Sequence, residues 1–173
     1  MVRESFAHMK PLQTFLFTAY FCLMMIVLGG TIFSVLVEYP NWFADVPSSL
    51  QATRNFYKVF HPGYFFQTVA PLSFLSGIAF VITGWRIQAA RNFVLMSLAV
   101  LVAAELLTFF YIYPRLGIMF GPDAASQSVE ALRLAGQQFT SADRIRTGLA
   151  VTANALAIAA LFRFFRERYA GTD

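Results

Sequence analysis

Four apolar runs, each about as long as a bilayer is thick, constrain this chain more than anything else in it. They fall at about 12–37, 63–85, 92–113 and 145–165. A helix needs ~20 predominantly apolar residues to cross the ~30 Å hydrocarbon core, so each run predicts a transmembrane helix. Composition agrees. Of 173 residues, 58% are hydrophobic and only 13% charged, about half the ~25% charge of an average soluble domain. A soluble enzyme, a disordered chain, a collagen and a disulfide scaffold are excluded. The expected fold is all-α, an integral membrane four-helix bundle forming one transmembrane domain over 1–173.

The limits of the runs have physical signals. Lys10-Pro11 precedes the first, and Glu38-Tyr39-Pro40-Asn41-Trp42 ends it with an interfacial aromatic and a helix breaker. At about 26 residues it exceeds the 7–15 of a signal-peptide core, and no small-x-small cleavage site follows. Gly29-Gly30 in mid-span predicts close helix approach. The second run opens at His61-Pro62-Gly63, contains Pro71 as a kink, and carries Ser73 and Gly77 as a small-xxx-small pair. The third stops at Pro114. The fourth begins near Ile145 with a small face of Gly148, Thr152, Ala153, Ala157 and Ala160. Only Arg86 to Arg91 join the second and third runs, which makes those helices antiparallel neighbours.

The two longer connections contain amphipathic stretches. Pro47-Ser48-Ser49 leads into Leu50, Thr53, Tyr57 and Phe60 at helical spacing, and Pro122-Asp123 leads into Val129, Leu132, Ala135 and Phe139. Both fit short amphipathic segments on the outer side, lying either on the membrane surface or as a solvated cap over the bundle mouth.

There are 13 Lys and Arg against 9 Asp and Glu, a net charge of +4. The basic residues cluster at span ends, where lipid headgroups account for them, so no nucleic-acid partner is implied. Arg3, Lys10, Arg86, Arg91, Arg163, Arg166 and Arg168 sit beside the termini and the short loop, against Arg54, Lys58, Arg115, Arg133, Arg144 and Arg146 on the other side. The positive-inside bias then puts both termini in the cytoplasm, in a membrane of the bacterial inner-membrane kind. Cys22, the single cysteine, forms no intrachain disulfide and reads as a small buried hydrophobe.

Glu105 is the one acidic residue well inside a span, about eight residues or ~12 Å from Tyr113. Intramembrane ionisable groups are functional candidates by default; the alternative is a neutral acid acting as interhelical glue through Asn154, at similar depth in the fourth run. A second polar group gathers at the outer ends: Glu38, Trp42, His61, Tyr64, Gln67, Tyr111, Tyr113, Arg115, Arg144 and Arg146. The asymmetry predicts an outward-opening pocket with Gln67, Glu105 and Asn154 at its floor. Taken singly, each aromatic reads as an interfacial anchor and His61 as a capping residue.

The reaction class is narrowed by what is missing. The two histidines, His8 and His61, fall on opposite membrane faces, which disfavours a bis-histidine haem. A di-iron bundle needs several inward carboxylates with Glu-x-x-His pairs. Phosphate-binding and dinucleotide glycine motifs and a CxxC are also absent from the sequence. No metal or cofactor is expected, and any catalysis is acid/base or cofactor-light.

The runs Glu38-Tyr39-Pro40-Asn41-Trp42, Phe60-His61-Pro62-Gly63-Tyr64-Phe65-Phe66 and Tyr111-Ile112-Tyr113-Pro114, with Arg144-Ile145-Arg146 entering the last helix, resemble the small four-span membrane family that includes anthrone oxygenases. The likeness covers most of the chain. Where members carry an asparagine and a tryptophan shortly before the fourth-helix arginine, this chain has Asp143 and Phe139. The resemblance implies oxygenation of an activated polycyclic phenol without a tightly bound metal, with His61 or Glu105 as base, Arg146 as clamp for the phenolate and phenylalanines as a cage.

The expected function is binding of an apolar aromatic or isoprenoid ligand, with cofactor-independent oxygenation as its chemistry. Glu105, His61 and Arg146 are the catalytic candidates, and Gln67, Asn154, Tyr64, Tyr113 and Trp42 the ligand-binding ones. The competing reading is a non-catalytic accessory subunit packed on partner membrane helices; a proton-coupled carrier using Glu105 would need a homo-oligomer. Membrane lipids are partners in every case.

Overall fold

The computed structural model describes residues 2–169, with side chains over 10–168; Arg3 and His8 therefore lie outside the described side chains. Four helices are long and apolar enough to cross a membrane, at Lys10–Trp42, Pro62–Thr83, Gln88–Phe120 and Val129–Arg168. The chain is an all-α integral membrane bundle, with no strand among the described residues.

The helical segments are α1 (Val2–Phe33), α2 (Tyr39–Trp42), α3 (Ser48–Phe56), α4 (Pro62–Thr83), α5 (Gln88–Leu107), α6 (Tyr113–Phe120) and α7 (Val129–Tyr169). Four boundaries differ from those the sequence predicts. Pro40 and Pro114 do not end their helices. A π turn at Ser34–Glu38 carries α1 into α2, and a second at Thr108–Ile112 carries α5 into α6. Each proline sits in the first turn after its π turn, where its missing N–H costs least. At the fourth run, helix starts well before Ile145. The second amphipathic stretch forms the leading turns of α7, and only Pro122–Ser126 is a separate 3-10 turn. Its apolar face is buried against protein: Leu132, Ala135 and Phe139 are core residues. Pro11 likewise lies inside α1.

Two cores divide the bundle along its length. Near the termini, Phe17, Tyr20, Met24, Phe80, Val94, Ala153, Ala157 and Phe164 pack together. The Phe17 ring stacks on Phe164 at 4.7 Å and meets Phe80 edge-on at 4.9 Å. The Tyr20 hydroxyl donates to Ser97 Oγ at 2.6 Å, and Ser97 Oγ donates to the Ala153 carbonyl at 2.7 Å, joining α1, α5 and α7 through polar groups with no access to solvent. Small residues permit this approach. A Cβ on Gly77 would stand 2.9 Å from the Tyr20 ring, and one on Gly30 2.6 Å from Phe65, whereas Gly29 faces open space. On α7 the packed small residues are Ala153, Ala157 and Ala160, while Gly148 and Thr152 are exposed. Cys22 is exposed rather than buried, because it falls off the α1 stripe of Phe17, Tyr20, Met24 and Val27.

At the far end, Tyr39, Trp42, Leu50, Ile112, Met119, Leu132 and Phe139 form a second core, to which α3 contributes Leu50. α1 packs chiefly on α4 and α5 on α7; the direct α4–α5 contact is small although only Gly84–Ile87 separate them.

Candidate functional site

Between the two cores lies a cavity of about 580 Å³, within the size range of small-molecule sites. Every membrane helix contributes to it. α1 with its π turn supplies Val27, Thr31, Ser34 and Glu38, and α2 supplies Tyr39 and Trp42. α4 supplies Phe66, Gln67, Pro71 and Ser73; α5 and its π turn supply Leu101, Glu105, Thr108 and Ile112; α6 adds Tyr113, and α7 adds Phe139, Arg146 and Ala150. Both π turns border the cavity. A π turn widens the helix and displaces the side chains after it, which is how Glu38 and Ile112 reach this wall.

The exposed lining residues are confined to one side. They are Gln67 and Pro71 on α4, Val102, Glu105 and Leu106 on α5, and Phe109 on the π turn that follows it. The open side is thus the α4–α5 gap, with Tyr39, Trp42 and Phe139 closing the cavity toward the loop end.

Opposite the gap stands a polar wall. Asp143, 2% exposed, pairs with Arg146 one turn along α7. The Arg146 Nη2 group also donates to the Tyr39 hydroxyl at 3.2 Å, and that hydroxyl donates to Asp143 Oδ1 at 3.3 Å. The Arg146 Nε–H is buried without a partner, and its guanidinium carbon lies 5.9 Å from the Phe66 ring centroid. Glu38 is buried with both oxygens engaged: Ser34 Oγ and the Tyr57 hydroxyl each donate to it at 2.5 Å. Burial together with the Glu38 carboxylate pushes the Tyr57 phenol up to about 12.

Five of the eight residues singled out from the sequence line the cavity: Glu105, Arg146, Gln67, Tyr113 and Trp42. Three lie elsewhere. His61 caps α4, its Nδ1 accepting from Gly63 N at 3.1 Å, and it stacks on Tyr64 at 4.1 Å, with both residues exposed. Asn154 is 2% exposed and gives its amide to the Ala150 carbonyl on its own helix at 2.8 Å. It does not reach Glu105, because Asn154 points into the bundle while Glu105 faces the α4–α5 gap. Its Oδ1 has no partner. Of the wall residues, Glu38 belongs to the outer polar group that the sequence marks, whereas Tyr39 and Asp143 were not singled out as site residues, although Asp143 and Arg146 at i,i+3 is a spacing that places paired groups on one helix face.

Among the described residues no cluster of three or more His, Cys, Asp or Glu side chains is arranged to hold a metal ion. Chemically, the site offers an apolar enclosure, one carboxyl at the rim and one guanidinium at the wall. Comparison with known families, with characterised proteins and with solved structures finds no match to this chain.

Proposed function

We propose that this membrane protein binds an apolar aromatic or isoprenoid ligand in the cavity between its two cores, with both termini on the cytoplasmic side. The observation that carries the reading is the cavity itself, about 580 Å³, lined mainly by apolar side chains and exposed through the α4–α5 gap. A gap at that position faces hydrocarbon, so an apolar ligand reaches it from the bilayer without crossing water.

The resemblance to the family of anthrone oxygenases extends the proposal to a reaction. Of its two suggested bases, Glu105 lines the cavity and His61 does not, which favours Glu105. The carboxylate takes a proton from an activated methylene, and Arg146 receives the charge that develops on the ligand oxygen. Dioxygen is the oxidant: the methylene loses two hydrogens, one oxygen atom becomes its carbonyl oxygen, and the other leaves as water.

The test is purification in mild detergent followed by solvent extraction and mass spectrometry. A stoichiometric apolar compound is expected with the wild type. It should be lost from Val102→Trp, which fills the exposed rim without touching either core, and turnover of an added anthrone should be lost from Glu105→Gln. Recovery of a stoichiometric partner chain, with no bound compound and no effect of either substitution, would favour an accessory subunit instead. Orientation is checked by labelling single cysteines beside Arg86 and Arg144 with a membrane-impermeant reagent on intact cells; only the second should react.

A further inference from the structure

The cavity wall is unevenly supplied with hydrogen-bonding groups. Both oxygens of Glu38 and the hydroxyl of Tyr39 are already bonded within the protein. The Trp42 indole, the Tyr113 phenol, the Gln67 amide and the Glu105 carboxyl make no side-chain hydrogen bond among the described residues, and the Arg146 bonds all pass through Nη2 while its Nε–H is unpaired. Indole and guanidinium groups only donate. The buried donors at the Trp42 and Arg146 end therefore lack an acceptor, whereas the free acceptor oxygens of Glu105 and Gln67 lie at the exposed rim.

Charge narrows the acceptor further. The guanidinium on the lining, Arg146, is already paired with Asp143 behind it, and two carboxyl groups, Glu38 and Glu105, line the same cavity. An anionic head would enter a wall with no surplus positive charge. A neutral carbonyl accepts hydrogen bonds without that penalty. Alongside Gln67 and Glu105, the exposed rim carries the apolar Pro71, Val102, Leu106 and Phe109, which suit a hydrocarbon tail.

We propose that the ligand is a neutral carbonyl-bearing ring of the quinone class carrying a hydrocarbon tail. The ring enters first, one carbonyl oxygen accepts from the Trp42 and Arg146 side, and the tail leaves between α4 and α5. The amide of Gln67 and the phenol of Tyr113 are the donors for a second carbonyl. This rests on the binding reading above and specifies its ligand.

The chain has two tryptophans, so Trp85→Phe leaves Trp42 as the sole reporter. In lipid nanodiscs, a decyl-substituted benzoquinone should quench Trp42 emission saturably, and decanoate should not compete. Arg146→Met should raise the half-saturation concentration about tenfold, the scale of a lost hydrogen bond to a charged donor. Because that change strands the buried Asp143, Arg146→Met/Asp143→Leu is measured beside it, and the same weakening is expected. Anthracene, which accepts energy from tryptophan and has no oxygen, serves as the second probe. Saturable anthracene binding without saturable quinone quenching overturns the carbonyl assignment and leaves the binding site standing. Absence of both overturns the two readings together. Competition by decanoate, or an unchanged half-saturation in both variants, also overturns the proposal.

Discussion

A buried hydroxyl in a membrane bundle is stabilising only while its partner stays in place. Tyr20 is fully buried and its hydroxyl meets Ser97, so Tyr20→Phe should destabilise the protein by about 1 kcal/mol. Thermal unfolding in a double-mutant cycle with Ser97→Ala measures the coupling. Tyr57 makes a pH-dependent prediction. Its phenol is raised from 10.0 to about 12, so the folded state holds that proton more tightly than the unfolded chain does. The stability it contributes is fully present below pH 10 and is lost as pH rises from 10 toward 12. In the difference titration of wild type minus Tyr57→Phe, the phenolate absorbance should appear with a midpoint near 12; a midpoint near pH 10, as for free tyrosine, would refute the Glu38 contact. Single residues were legible in the sequence where burial cost made them conspicuous, as with Glu105. They were not where the partner is supplied by tertiary structure. Nothing in the local sequence of Asn154 distinguishes a bond to its own helix from one to Glu105, and a histidine before Pro-Gly serves equally as cap or as base until its neighbours are placed.

Among the elements, the π turns account for the largest difference from expectation. Proline reads as a breaker because an α-helix cannot accommodate it in its interior. Placed just after a π turn, it lets the helix continue. Each π turn adds one residue to the α-helical phase, so deleting Phe110, 77% exposed within the second turn, should restore α geometry and keep the faces of α5 and α6 aligned. That deletion is expected to melt within about 5 °C of wild type. Deleting the exposed Ala99, inside regular α-helix, turns one half of α5 by ~100° against the other and should abolish cooperative melting. Equal damage from the two deletions would remove the phase argument. The continuity of α7 escaped the sequence for a related reason: the polar stretch at Gln137–Gln138 and Arg144 lowers hydropathy without interrupting helix, and hydropathy alone marks where lipid ends rather than where a helix does.

For the molecule as a whole, length against bilayer thickness is informative. α7 has 41 residues, ~62 Å at 1.5 Å per residue, about twice the hydrocarbon core. α4 has 22 and matches it. Three helices therefore rise beyond α4 at the loop end, with the second core between them. Just before α4, Phe56, Val59 and Phe60 are 79%, 93% and 63% exposed beside Arg54 and Lys58. That pairing of apolar and basic groups suits the headgroup boundary. A Phe60→Trp reporter in the Trp42→Phe/Trp85→Phe background should be quenched more by lipids brominated near the headgroup than by those brominated deep in the chain. No quenching by either would place the segment in water, as a solvated cap. The spans were legible from the sequence because they follow from transfer energies. The lateral opening was not, since it depends on which helices pack against each other.

That pairing gives the bundle a gradient of firmness. α5 and α7 are held by the Tyr20–Ser97–Ala153 chain, whereas α4 leans mainly on α1, and Pro71 has no N–H to offer the carbonyl of Gln67 one turn earlier. The half of α4 before Pro71 is the part of the cavity wall that can yield without disturbing either core. Its amides should exchange with deuterium ahead of those facing them on α5, and a bound ligand should slow them. Should that order of exchange be observed, the cavity volume is set by how far that half-helix swings.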